Sequence, residues 1–150
     1  MSHDEALQLQ DRLEMILDQF ETEVANINNI TTNKQLEALI EASDHLHGIL
    51  SEVKNYFVEV RNQLASIHGI PPAKELAQLV IGASTEALSA IRETKHNLEE
   101  LKGKIKGKRK KPLTQEELHY ADFSAKVAIR KSQTILKKIS ERVEELPDHL

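Results

Sequence analysis

Arg61, Asn62 and His68 form the sharpest chemical grouping in this 150-residue chain. Residues seven apart on one helix share a face. A guanidinium and an imidazole placed there would bind a phosphate and move a proton, as in RNA cleavage. The plain alternative is a solvent-facing Arg and a His near a helix C-terminus, where a cation suits the dipole. Two Glu-x-x-His pairs follow, Glu93 with His96 and Glu116 with His119. In di-iron bundles such pairs face inward, whereas the apolar stripes given below turn both pairs outward. Glu41 with His45, and Asp44 with His47, could each chelate a divalent cation. His45 and His47 lie about 200° apart on a helical wheel, so these four side chains do not converge. The expectation is a chain without a metal or other cofactor.

The string VRNQLASIHG, residues 60–69, resembles the R-N…H motif of HEPN-domain ribonucleases. These are small helical bundles that often dimerise to form their site. The resemblance implies metal-independent ribonuclease or toxin activity, with Arg61, Asn62 and His68 in the active site. No Gly-rich phosphate loop, Gly-x-Ser-x-Gly elbow or His-Glu-x-x-His run is present, so nucleophilic catalysis has no support.

A second kind of chemistry sits in LKGKIKGKRKKPL, residues 101–113. Lys102, Lys104, Lys106, Lys108, Arg109, Lys110 and Lys111 form a cationic island on a chain of formal net charge −4. Residues 102–111 hold seven of the 20 basic residues and none of the 24 acidic ones. Such a segment would engage a nucleic acid, an acidic protein or an anionic membrane surface, each cation at a phosphate releasing a counterion. No aromatic is interleaved for base stacking, and Ile105 is its one apolar wedge. The bland readings are a solvated loop, or a strap over acidic helix ends at Glu99 and Glu100 or at Glu116 and Glu117. Exposed pairs of that kind contribute only about 0–1 kcal/mol.

Four long helices have to position these residues. Aromatics are 3% with no Trp, and Pro and Gly number four and five, which argues against a β-rich or loop-rich fold. There is no Cys, so disulfides, thiolate chemistry and Cys-ligated zinc are excluded. The first helix has a capping-box signal, Ser2 with Glu5, and a stripe at Leu13, Ile16, Leu17, Phe20, Val24 and Ile27. Asn26, Asn28 and Asn29 weaken it. The second opens at Thr32 with Gln35. Its stripe is Leu36, Leu39, Ser43, Leu46, Leu50, Val53, Phe57, Val60, Leu64 and Ile67, and it stops at Gly69.

Pro71 and Pro72 open the third helix, with a stripe at Leu76, Leu79, Val80, Ala83, Ala87, Ala90, Ile91, Leu98 and Leu101. Gly103 ends it. Folding back at Gly69 brings Phe57 level with Gly82 and Ala83, large against small. The fourth helix opens at Thr114 with Glu117. Its stripe is Leu118, Ala121, Ala125, Ala128, Ser132, Ile135, Leu136, Ile139, Val143 and Leu146.

The expectation is one domain over residues 1–150. Its architecture is all-α: an antiparallel up-down-up-down four-helix bundle with coiled-coil-like seams and a long basic loop, roughly 103–113, between helices 3 and 4. The start of the chain is polar and acidic, with neither a signal peptide nor a membrane-spanning run, which points to the cytoplasm. The functional expectation is a non-enzymatic interaction or scaffold protein. It would bind a protein partner through helix faces and an anionic partner through residues 102–111, and would be open to homo-oligomerisation.

Overall fold

A computed structural model describes residues 3–66, 71–105 and 111–147. The chain forms four long helices: α1 (His3–Ala25), α2 (Asn33–Leu64), α3 (Pro71–Lys104) and α4 (Gln115–Arg142). Short 3-10 turns follow α1 and α4, at Ile27–Asn29 and Val143–Glu145. Among the described residues there is no strand, and no helix is long and apolar enough to cross a membrane.

Local chemistry sets the ends. Thr32 accepts from the Gln35 N–H, while the Gln35 side chain accepts from the Thr32 N–H at 3.0 Å. Thr114 and Glu117 repeat the arrangement at α4. Each box satisfies two donors that the helix itself leaves unpaired. α1 ends earlier than its apolar stripe suggests. The Asn26 amide donates to the Thr22 carbonyl and its backbone N–H to Glu23, which tightens the last turn and delivers Ile27 to the core from a 3-10 turn. The Ser2 cap and the Ile67–Gly69 stop lie outside the described residues.

α1 packs on α2 and α4, and α3 packs on the same two helices. One cluster of buried side chains draws on all four. Cross-helix pairs fix the registers. Glu37 meets Lys102 at 2.8 Å and Asp44 meets Lys95 at 2.7 Å, so numbers rise along α2 as they fall along α3. The pairs Glu86–Lys131 and Glu75–Arg142 run in the same inverse order between α3 and α4. The register does bring Phe57 level with Gly82. Gly82 is exposed, however, and a Cβ built there meets nothing within 4 Å, so it is not the small partner of Phe57.

The α2 stripe from Leu36 to Leu64 is buried at every expected position. Ile49 and Tyr56 are buried as well, because α2 faces two helices and needs a wider apolar arc than one stripe. On α3 the core runs through Ala73, Leu76, Ala77, Val80 and Ser84, which leaves Leu79 on the flank, 40% exposed. Of the two serines in core slots, Ser43 donates to the Leu39 carbonyl at 2.9 Å, while the Ser132 hydroxyl has no partner among the described residues.

Gly48 and Gly82 lie inside helices with open space where a Cβ would go. Gly48→Ala and Gly82→Ala should each raise unfolding stability by about 0.4–1 kcal/mol, by restricting the unfolded chain. A urea midpoint that falls in either variant would contradict the placement. The Tyr56 ring packs edge-on against Phe57 at 5.1 Å. Burial, and then the Glu5 charge, push its phenol up to about 12. The fold therefore favours the neutral phenol. That contribution is intact below the ordinary phenol value near 10 and is lost as pH rises from there toward 12. Tyr56→Phe should remove this part of the alkaline decline in stability, read from urea midpoints across that window.

Candidate docking face and basic segment

The basic segment begins inside α3, not after it. Lys102 and Lys104 belong to its last turn. Lys102 is held by Glu37 of α2, whereas Lys104 and Lys111 are exposed with no ion-pair partner among the described residues. Lys104 shares a groove with Glu100, Glu116 and Glu117. Lys106, Lys108, Arg109 and Lys110 lie outside the described residues.

Both flanks of the segment are tied down. Ile105 is buried, and its carbonyl accepts from the Asn33 amide at 3.0 Å. Leu113 is buried too, and its N–H donates to the Ile30 carbonyl at 2.9 Å. Ile105 is therefore part of the core and not a membrane wedge. These contacts hold the two flanks, Ile105 and Leu113, against Asn33 and Ile30. They also fix where α4 begins. Leu113 precedes the Thr114 cap and Leu118 follows it, both buried, in the positions of a hydrophobic staple.

That start sets what α4 turns outward. Its buried face from Ala121 to Ser132 consists only of Ala and Ser: Ala121, Ser124, Ala125, Ala128 and Ser132. Thr94 of α3 and Ser124 share a buried hydrogen bond of 2.7 Å across this seam. On the outer flank, Tyr120 is 70% and Phe123 62% exposed. Val127 continues the row, half-buried. These two rings are two of only five aromatic side chains in the protein, and the other three are buried. Phe123 and Val127 line a groove with Glu86, Ala90 and Glu93 of α3, about 310 Å³ in volume. Tyr120 lines the next groove, with Asn97, Glu100 and Leu101, about 430 Å³. The His119 ring meets that of Tyr120 edge-on at 5.1 Å. Asn97 has a buried amide nitrogen without a partner among the described residues, an arrangement that costs about 1–3 kcal/mol when no acceptor comes.

The remaining chemical candidates do not converge. Arg61 is half-buried and Asn62 exposed in the last turn of α2, and His68 lies outside the described residues. Glu93 and His96 are exposed, as are Glu116 and His119. His96 pairs with Glu100 at 3.2 Å, one turn away, rather than with Glu93. Asp44 is taken by Lys95, and His45 stands 4.0 Å from Glu41 on open surface. Burial lowers the pKa of His47, Arg92 and Lys95 add to that, and Asp44 opposes it. Among the described residues, no group of three or more His, Asp or Glu side chains could hold a metal ion.

The sequence reading missed Tyr120 and Phe123. Their signal was available: both fall off the stripe of Leu118, Ala121 and Ala125, and with Val127 they make a second apolar row at steps of three and four. Comparison of the chain with protein-family models, curated proteins and solved structures finds no match.

Leu113→Ala should cost roughly 2–5 kcal/mol of stability, the usual range for truncating a buried leucine. Tyr120→Ser and Phe123→Ser should stay within about 1 kcal/mol of the parent protein, since exposed side chains seldom hold a fold. Chemical denaturation of the three variants checks both. Equal losses would mean that the rings belong to the core.

Proposed function

We propose that this protein is a non-enzymatic interaction or scaffold protein, an up-down-up-down four-helix bundle that holds a protein partner on an outer helix face. The observation that carries the reading is the Tyr120–Phe123 pair, exposed while the rest of the aromatic content is buried. Exposed apolar side chains scattered singly, as Leu7 and Met15 are, need no explanation. A row of them lining grooves between two helices is the kind of surface that takes a partner helix. The inverse order of the ion pairs supports the topology. Enzymatic sites gather polar groups in a concavity, and the described polar side chains mostly cap helices or pair on the surface.

The basic segment is a second contact, for an anionic partner. Its support is Lys104 and Lys111, exposed and unpaired among the described residues, on a segment anchored at both flanks. A cytoplasmic location belongs to the same reading. Arg61, Asn62 and His68 remain the basis of the HEPN-like alternative.

The test is incubation with labelled single-stranded RNA in EDTA, from low to physiological salt. RNA is expected to stay intact. Cleavage that disappears in His68→Ala would replace the binding reading with the nuclease. In parallel, a Tyr120→Ser/Phe123→Ser variant should lose any protein that co-purifies with the parent while keeping its thermal melt. A partner retained by that variant would place the docking face elsewhere.

A further inference from the structure

The face that carries Tyr120 and Phe123 also has a charge pattern. Glu86, Glu93 and Glu100 stand seven residues apart on α3, and a step of seven nearly returns to the same side of a helix. All three are exposed. They line, from α3, the grooves that Phe123, Val127 and Tyr120 line from α4. An apolar row thus lies beside a row of carboxylates, and Lys104 at one end is, among the described residues, the single cation lining these two grooves. Resting on the proposal that this face binds protein, we infer that its partner is a basic amphipathic helix. Apolar residues at steps of three and four seat on Tyr120, Phe123 and Val127. Lys or Arg residues at steps of seven meet Glu86, Glu93 and Glu100.

Three features select this occupant. The first is charge. A carboxylate row repels phosphate backbones and acidic peptides and attracts cations. Glu93, at the centre of the row, has no ion-pair partner among the described residues. Glu86 is paired with Lys131 and Glu100 with His96, all on open surface, where such pairs exchange readily. The second is period. Seven helical residues rise about 10.5 Å, so a partner helix repeats its cations at the spacing of the carboxylates. A strand repeats a face every two residues, about 6.6–6.8 Å, and falls out of step. The third is length. From Glu116 to Val127, α4 offers about 16 Å of groove, three helical turns.

The experiment uses the full chain and a fluorescein-labelled three-heptad peptide with Leu at a and d and Lys at e and g. A matched peptide carries Glu in place of Lys. Fluorescence anisotropy follows binding at physiological salt, and a thermal melt by circular dichroism confirms that each variant is folded. The Lys peptide is expected to bind saturably and the Glu peptide at least about tenfold more weakly. Phe123→Ser, or Tyr120→Ser as an independent variant, should abolish Lys-peptide binding. A Glu86→Lys/Glu93→Lys/Glu100→Lys variant should reverse the preference between the two peptides. If the Glu peptide binds equally well and Phe123→Ser abolishes both, the face docks protein but the basic partner is wrong. If Lys-peptide binding survives Phe123→Ser and Tyr120→Ser, it is general charge attraction and the inference fails. If sedimentation equilibrium shows a dimer that Phe123→Ser dissolves, a second copy covers the face and the inference fails. If neither peptide binds and no dimer forms, the docking reading falls along with it.

Discussion

The buried hydrogen bond between Thr94 and Ser124 is the constraint on which the outer face depends. It lies along the three turns, Ala121 to Ser132, in which the buried residues of α4 are only alanine and serine. Small side chains let two helices approach closely, but they slide easily, because alanine surfaces interlock weakly. A polar pair opposes that freedom, since a slip would break the buried bond between the two hydroxyls. One of the two hydroxyls donates across the seam, and the other is left to donate to a carbonyl of its own helix, Ala90 for Thr94 or Tyr120 for Ser124. With this register fixed, Glu86 meets Lys131 and Glu75 meets Arg142 farther along the same pair. The exposed Glu86–Lys131 pair follows the register and contributes little to setting it.

Close approach has a consequence for the flanks. Long side chains on either side of a narrow seam cannot interdigitate across it, so they become the walls of a groove. Phe123 and Glu93 share one such groove and Tyr120 and Glu100 the next. The same small residues that close the core thereby leave the aromatic row outside it. The fold does not need these rings. The core already runs through Leu36, Leu46, Phe57, Leu76, Leu98 and Leu118, each at most 1% exposed.

What the sequence disclosed was whatever is local. The boxes at Thr32 and Thr114 depend on residues three apart and were legible without the fold. The α2 stripe was legible because ten positions agree on one period. The misreadings are tertiary. Leu79 fits a helical stripe as well as Val80 does, and only the direction of α2 and α4 decides which of them is covered. Ile105 reads as a loop residue until the α1–α2 connection comes within reach through Asn33 and Ile30. Tyr120 and Phe123 are apolar by type, and nothing in one stripe says that a second row stays uncovered. The Glu-x-x-His pairs were legible as outward-facing because they sit opposite buried residues on their own helices.

The charge distribution follows from the same geometry. A chain with 24 acidic and 20 basic residues can scatter its charges, and α2 and α3 do so, exchanging Glu37 with Lys102 and Asp44 with Lys95. The α3–α4 grooves depart from that balance, with carboxylates at regular steps on the α3 wall and, on the α4 wall, rings beside Glu116 and Glu117. Fully burying a large apolar side chain contributes about 1.5–3 kcal/mol, which Phe123 at 62% exposed mostly forgoes. A helix that covered the row would recover that contribution, and its cations would offset the repulsion between neighbouring carboxylates. Salt would screen the second effect and leave the first intact. On this surface apolar contact governs whether a partner stays, and the carboxylate row governs which partner it is.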